Sequence, residues 1–113
     1  MQDNYFPIIG PPRINVEEST KKTELYSYVG KPTAVIIKCV WWGYPNLTLS
    51  IRKNDIDLPS EDFEVQEPTG KDMLGNLTAT VITDGEEDFG TYTCHASNPL
   101  GSATYVVDIN EQG

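Results

Sequence analysis

The stretch Asp88-Phe89-Gly90-Thr91-Tyr92-Thr93-Cys94-His95-Ala96-Ser97-Asn98-Pro99-Leu100-Gly101 decides how the rest of the chain is read. Within it Tyr92, Cys94 and Ala96 fall on one side of an extended backbone, and Thr91, Thr93, His95 and Ser97 on the other. That period of two is the signature of a half-buried β-strand with its polar side outward. Asp-x-Gly supplies a tight corner before the strand, and Asn-Pro-Leu-Gly a turn after it. Past the turn, Ala103, Tyr105, Val107 and Ile109 alternate with Thr104, Val106 and Asp108. A second strand is expected there, with the first set facing the core.

The same alternation extends upstream. In Thr33 to Val40, the residues Val35, Ile37 and Cys39 point one way, and Ala34, Ile36 and Lys38 the other. Trp41-Trp42-Gly43-Tyr44-Pro45 is expected to be an aromatic bend closing on a Gly-x-Pro turn. Leu47, Leu49 and Ile51 then alternate with Thr48, Ser50 and Arg52. Phe63-Glu64-Val65 fits a short strand, and Leu77, Ala79 and Val81 a longer one with Asn76, Thr78 and Thr80 outward. Asp84 to Glu87 crosses from there to the corner. Near the start, Pro11 to Val16 reads as an edge strand, where prolines are tolerated because an edge leaves some N–H groups unpaired. Glu17 to Lys22 is a polar run, and Leu25 to Val29 is extended up to a Gly30-Lys31-Pro32 turn. About eight short strands and no convincing helix point to an all-β sandwich. One domain is expected over residues 11–110, with 1–10 as tail or linker and 111–113 as a C-terminal tail.

A chain of 113 residues is long enough for one core and not for two. Eight basic against seventeen acidic residues give a net charge of −9, which leaves no basic footprint for nucleic acid or an anionic membrane. No apolar run approaches the length of a bilayer span. Tyr5-Phe6-Pro7-Ile8-Ile9 lacks the basic flank of a signal peptide and is broken by proline. The chain is therefore expected to be a module cut from a longer protein. Its two cysteines, Cys39 and Cys94, are compatible with idle buried thiols or with a bridge.

The pattern Asp-x-Gly-x-Tyr-x-Cys-x-Ala-x-Asn-x-x-Gly at residues 88–101 resembles strand F and the F–G turn of immunoglobulin superfamily domains, specifically the intermediate set. Thr33 to Val40 is similar to strand B, Leu47 to Ile51 to strand C, and Lys53-Asn54-Asp55-Ile56-Asp57-Leu58 to the hairpin after it. The resemblance covers roughly Pro11 to Asn110. It implies an immunoglobulin-like Greek-key sandwich of two antiparallel sheets, and a disulfide between Cys39 and Cys94. Such a bridge could stabilise the fold by about 4 kcal/mol in the chain-entropy model. It also implies a corner in which the Tyr92 hydroxyl bonds back to the chain and the Asp88 carboxylate accepts backbone N–H groups. One position departs from the family: Ile51 stands where strand C usually carries a core Trp. Either Trp41, which shares parity with Cys39, supplies that bulk from strand B, or the strand C register differs.

Catalysis has little to work with. His95 is the single histidine and its parity is outward, and no Gly-x-Ser-x-Gly elbow, His-Glu-x-x-His or phosphate-cradling loop occurs. No catalytic residue and no cofactor is expected. Asp55 with Asp57, and Glu86-Glu87-Asp88, lack the spacing of a calcium loop and read as solvated turn charge, so no metal site is expected. Asn46-Leu47-Thr48 and Asn76-Leu77-Thr78 are N-glycosylation sequons with outward asparagines. Trp42 and Tyr44 are candidate interface anchors, or else lie flat on a sheet edge.

Three functions compete. The first is an extracellular protein-binding module of an adhesion molecule or receptor, monomeric in isolation and engaging other proteins homophilically or heterophilically. Its contact surface would be the outward residues Ser50, Arg52, Thr93, His95, Thr104 and Val106, or the exposed edge of the first strands. The second is an intracellular scaffold domain of a giant muscle or cytoskeletal protein. The third, an enzyme, has no residues to support it. Fold cannot separate the first two, and the sequons with the paired cysteines favour the first.

Overall fold

The computed structural model describes residues 9–20, 25–27, 33–69, 74–83 and 85–111. Its strands are β1 (Gly10–Ile14), β2 (Leu25–Ser27), β3 (Thr33–Tyr44), β4 (Thr48–Lys53), β5 (Ile56–Asp57), β6 (Phe63–Thr69), β7 (Leu74–Thr83), β8 (Gly90–Asn98) and β9 (Gly101–Glu111), with short 3-10 turns at Ser60–Asp62 and Glu86–Asp88. They form a four-stranded sheet in the order β1-β3-β7-β6 and a five-stranded sheet in the order β2-β9-β8-β4-β5. This is the all-β sandwich that the alternation implied, in the immunoglobulin-like form that the resemblance implied.

The core lies between the sheets and is built from the inward sets. Ile37, Cys39, Trp41, Leu77 and Ala79 come from one sheet, and Leu49, Ile51, Tyr92, Cys94, Ala96, Tyr105, Val107 and Ile109 from the other. Cys39 on β3 and Cys94 on β8 are bridged, with Cα atoms 6.5 Å apart, so the bond staples the two sheets. Ile51 pairs with Cys94 across β4 and β8 and is fully buried. Trp41, two residues beyond Cys39 on the same side of β3, is also fully buried. The strand C register therefore stands, and the aromatic bulk comes from strand B. Opposite Trp41 on β7 sits Gly75, also buried, so no side chain there competes for the room that the indole needs.

Several expectations are revised. Trp41 to Tyr44 is no bend: β3 runs straight through it, pairing Trp41 and Trp42 with Ile14 and Arg13 of β1 on one side and with Gly75 and Leu74 of β7 on the other. The chain turns only at Pro45, after a cis Tyr44–Pro45 bond. Gly43 had suggested a turn, yet it is an in-strand glycine: an added Cβ would lie 2.8 Å from Leu47 Cδ2 and 3.2 Å from Pro12 Cα. β1 begins at Gly10 and ends at Ile14, its pairing shifted across Pro11-Pro12, and a turn at Asn15 to Ser19 takes the place of its expected end. β2 crosses to the second sheet and pairs parallel to β9, an exception to an otherwise antiparallel pattern. β6 runs on to Thr69, beyond the expected Val65. The tail at residues 1–8, the strand end at Tyr28-Val29, the Gly30-Lys31-Pro32 turn, Asp84 and residues 112–113 lie outside the described residues.

Candidate functional site

The corner before β8 forms from three residues. The Tyr92 hydroxyl donates to the Asp88 carbonyl at 2.6 Å, and the Gly85 N–H donates to Asp88 Oδ2 at 3.1 Å. Burial, with the nearby Asp88 charge second, pushes the Tyr92 hydroxyl up to about 12. Both disfavour the phenolate. Tyr105 is raised by burial as well, and its hydroxyl donates to the Thr20 carbonyl, tying β9 to the segment after β1. The adjacent hairpin turns on Asn54 and Asp55 alone, both at positive φ, which these two residue types tolerate. Asn54 then braces the corner, its N–H donating to the Thr91 carbonyl and its Oδ1 accepting from the Thr91 N–H.

The outward residues of β4, β8 and β9 form a regular grid. Cross-strand register sets Ser50, His95 and Thr104 in one row, and Arg52, Thr93 and Val106 in the next. Thr48, Ser97 and Ser102 make a third row. At the hairpin edge Arg52 Nε meets Asp57 Oδ1 at 2.8 Å, with both side chains well exposed. Such a pair is worth roughly 0–1 kcal/mol. The grid is polar and nearly free of large apolar side chains, Val106 being the exception at 36% exposed.

Trp42 and Tyr44 do not join this grid. Their parity places them on the outer side of β3, in the other sheet. Arg13 of β1 lies over the Trp42 ring at 5.0 Å from its centroid, a cation–π contact that leaves the indole half-covered. The sequence-selected residues thus divide between two opposite faces: Arg52, Thr93, His95, Thr104 and Val106 on one, Trp42 and Tyr44 on the other. Of the sequon asparagines, Asn46 is exposed at φ 61 after the cis proline. Asn76 is half-buried mid-strand on β7, its Nδ2 donating to Gln66 Oε1 of β6 at 3.1 Å.

Two exposed residues were missed by the reading from sequence. Ile36 and Ile82 lie on the outer side of β3 and β7 at 59% and 52% exposure. The signal was present: Thr33 to Val40 is apolar at both parities, as in a strand covered on both sides. Among the described residues no group of three or more His, Cys, Asp or Glu could hold a metal ion. Nor is any helix among them long and apolar enough to cross a membrane.

Comparisons with known proteins agree with this architecture. Residues 33–107 match the family model described as Immunoglobulin domain. Protein amalgam of Drosophila melanogaster is 38% identical over 69 residues, a match that spans 59% of this chain and 20% of that protein's length. Among solved structures, Dpr2 Ig1-Ig2 in complex with DIP-Theta Ig1-Ig3 superposes with a TM-score of 0.70 at 21% identity, covering 90% of this chain and 32% of that one. A twitchin kinase fragment from C. elegans, comprising a protein kinase and immunoglobulin domains, gives 0.63 at 22% identity, covering 89% of this chain and 20% of that one. At these identities the structures speak to the fold, and the family match to descent: the chain belongs to the immunoglobulin domain family.

Proposed function

We propose that the chain is an extracellular protein-binding module of a multidomain cell-surface or secreted protein, and that it carries out no catalysis. The observation that carries this reading is the cross-sheet bridge between Cys39 and Cys94, since such a bond persists in oxidising compartments. Two sequons support it, at Asn46 and Asn76. The module binds through the Ser50, Arg52, Thr93, His95, Thr104 and Val106 grid, and its partner is another immunoglobulin domain, as Dpr2 is solved with DIP-Theta. A face of small polar side chains makes a modest, wet interface, so single contacts are weak and gain strength from many copies on a membrane. The alternative, an intracellular scaffold domain, is suggested by the likeness to the twitchin fragment, which extends to the fold alone.

The test is a free-thiol count by mass spectrometry on protein from its native source, with glycan mass measured at both sequons. Bridged cysteines and an occupied Asn46 or Asn76 are the expected result. Two free thiols would favour the scaffold. For the binding face, Thr93→Glu with His95→Arg should abolish ligand capture or cell aggregation. Full retention would place the contact elsewhere.

A further inference from the structure

The outer side of the β3-β7-β6 sheet breaks the rule its neighbour obeys. An antiparallel sheet with one solvated side alternates apolar-in and polar-out, as β4, β8 and β9 do. On β3 and β7 the outward positions 34, 36 and 82 are Ala, Ile and Ile, all exposed. Thr80 pairs with Ile36 and Ile82 with Ala34, so the two isoleucines are diagonal neighbours on adjacent strands. Such neighbours lie about 7–8 Å apart, within reach of one inserted side chain. Higher up β3, Val40 is equally outward by parity yet only 3% exposed. There the Asn15 N–H donates to the Val40 carbonyl and the Val40 N–H to Ser19 Oγ, closing that stretch with the chain's own turn. At Ile36 the same chain reaches only the carbonyl, through the Thr20 hydroxyl at 3.4 Å, and the Ile36 and Ile82 side chains stay exposed.

Beside it runs an acidic margin. A cleft of about 240 Å³ is lined by Glu61, Asp62, Phe63, Glu64, Thr78 and Thr80. A second, of about 290 Å³, shares Asp62 and Thr80 and reaches Ile82, Asp88 and Tyr92. Lys53 also lines it, and among the described residues Lys38, one row along from Ile36 and opposite Thr78, is a cation on the outer side. Among the described residues, carboxylates thus outnumber ammonium groups along this margin.

We propose that this end of the β3-β7-β6 sheet is a second docking surface, and that its occupant is a protein segment with an apolar side chain flanked by lysine or arginine. The apolar side chain seats between Ile36 and Ile82, and the cations meet Glu61, Asp62 and Glu64. Charge selects this occupant over a second copy of the chain, which at −9 would set carboxylates against carboxylates. Asn76 lies six residues before Ile82 on β7, about 20 Å along the strand, so a glycan there leaves the isoleucine end open while crowding Glu64, with which Asn76 shares a cleft. With the polar grid on the opposite sheet, the module could bridge two proteins at once.

The experiment is an amide NMR titration of the whole chain with a synthetic peptide of alternating lysine and valine, and a glutamate–valine peptide as control. Shifts should cluster at Ala34–Ile36, Glu61–Glu64 and Thr80–Ile82, and weaken with added salt. The Glu61→Gln, Asp62→Asn, Glu64→Gln variant should bind roughly tenfold more weakly, as loss of a few exposed ion pairs implies. Ile36→Thr with Ile82→Thr should do likewise. Equal charge removal at Glu17→Gln, Glu18→Gln and Asp55→Asn should change affinity less than about twofold, which separates a built surface from general attraction of a cation to an acidic protein. Overturning results are shifts on the outward residues of β4, β8 and β9, a loss that follows net charge alone, or a dimer in sedimentation that Ile36→Lys dissolves. Two free thiols found together with these clustered shifts would remove the extracellular reading and leave this one standing.

Discussion

Trp41 is the residue on which most of the packing turns. It is fully buried, and its Nε1 has no hydrogen-bond partner among the described residues. Two opposed contributions follow: a large apolar gain from ring burial, and a cost of about 1–3 kcal/mol for a desolvated donor. Trp41→Ala keeps neither and should destabilise by about 3–5 kcal/mol in chemical denaturation. Trp41→Phe removes the unpaired donor while leaving most of the volume filled, and its loss should be well under that of the alanine variant. Equal losses would show that the indole N–H has a partner in solution. Tyr92 makes a complementary case. Tyr92→Phe should cost about 0.5–1.5 kcal/mol, the value of the hydroxyl bond to Asp88. Because folding raises the Tyr92 hydroxyl from 10.0 to about 12, its contribution is complete below pH 10 and is lost as pH rises to 12. Midpoints measured across that window should fall more steeply for the parent than for Tyr92→Phe.

At the scale of elements, β3 is the strand to test. It joins β1 to β7 and reaches from the sheet's lower end to Pro45 without interruption. Its passage past Leu47 and Pro12 depends on the missing Cβ of Gly43. Gly43→Ala must push Leu47 Cδ2 aside from 2.8 Å and press on the backbone of Pro12 at 3.2 Å. The neighbour at 2.8 Å is a side chain and can yield in part, but backbone cannot. A loss of about 1–3 kcal/mol is expected, in the range of overpacked cores. A thermal midpoint unchanged by Gly43→Ala would mean that β1 shifts freely at this point. At the other end of the sandwich Gly90, at φ 137, brings its backbone against the Asn54 side chain, so the hairpin and the corner act as one unit.

For the whole molecule, the bridge between Cys39 and Cys94 spans 55 residues. Closing a loop of that length is worth about 4 kcal/mol in the chain-entropy model. That is a large share of the 5–15 kcal/mol typical of a domain. The paired variant Cys39→Ala, Cys94→Ala should therefore lose about 4 kcal/mol or more, and reduction of the parent should approach the same value. A loss under about 1 kcal/mol would mean that the sandwich holds itself without its staple, which would also weaken the compartment argument built on it. The two proposed binding surfaces are outer faces set back to back. One is a polar grid, and the other is an apolar pair beside carboxylates, so different partners would suit each.

The inward sets of β3, β4, β7, β8 and β9, the hairpin at Asn54-Asp55 and the Asp88–Tyr92 corner were legible in the sequence. Strand periodicity and turn chemistry are local, readable within about ten residues. Trp41 as the core aromatic was one of two readings the sequence left open, and the burial of Trp41 with Ile51 opposite Cys94 decided for it. What the tertiary structure decided is non-local. Parity says that Trp42 and His95 each point away from the core, but not that they point in opposite directions, since that depends on which sheet each strand joins. The parallel pairing of β2 with β9 needs a partner more than eighty residues away in sequence, and no local pattern encodes it. Gly43 looks the same whether a chain turns there or a leucine fills its side-chain space. Val40 and Ile36 look alike as outward apolar residues, and only the return of the Asn15–Ser19 turn onto β3 buries one and leaves the other open.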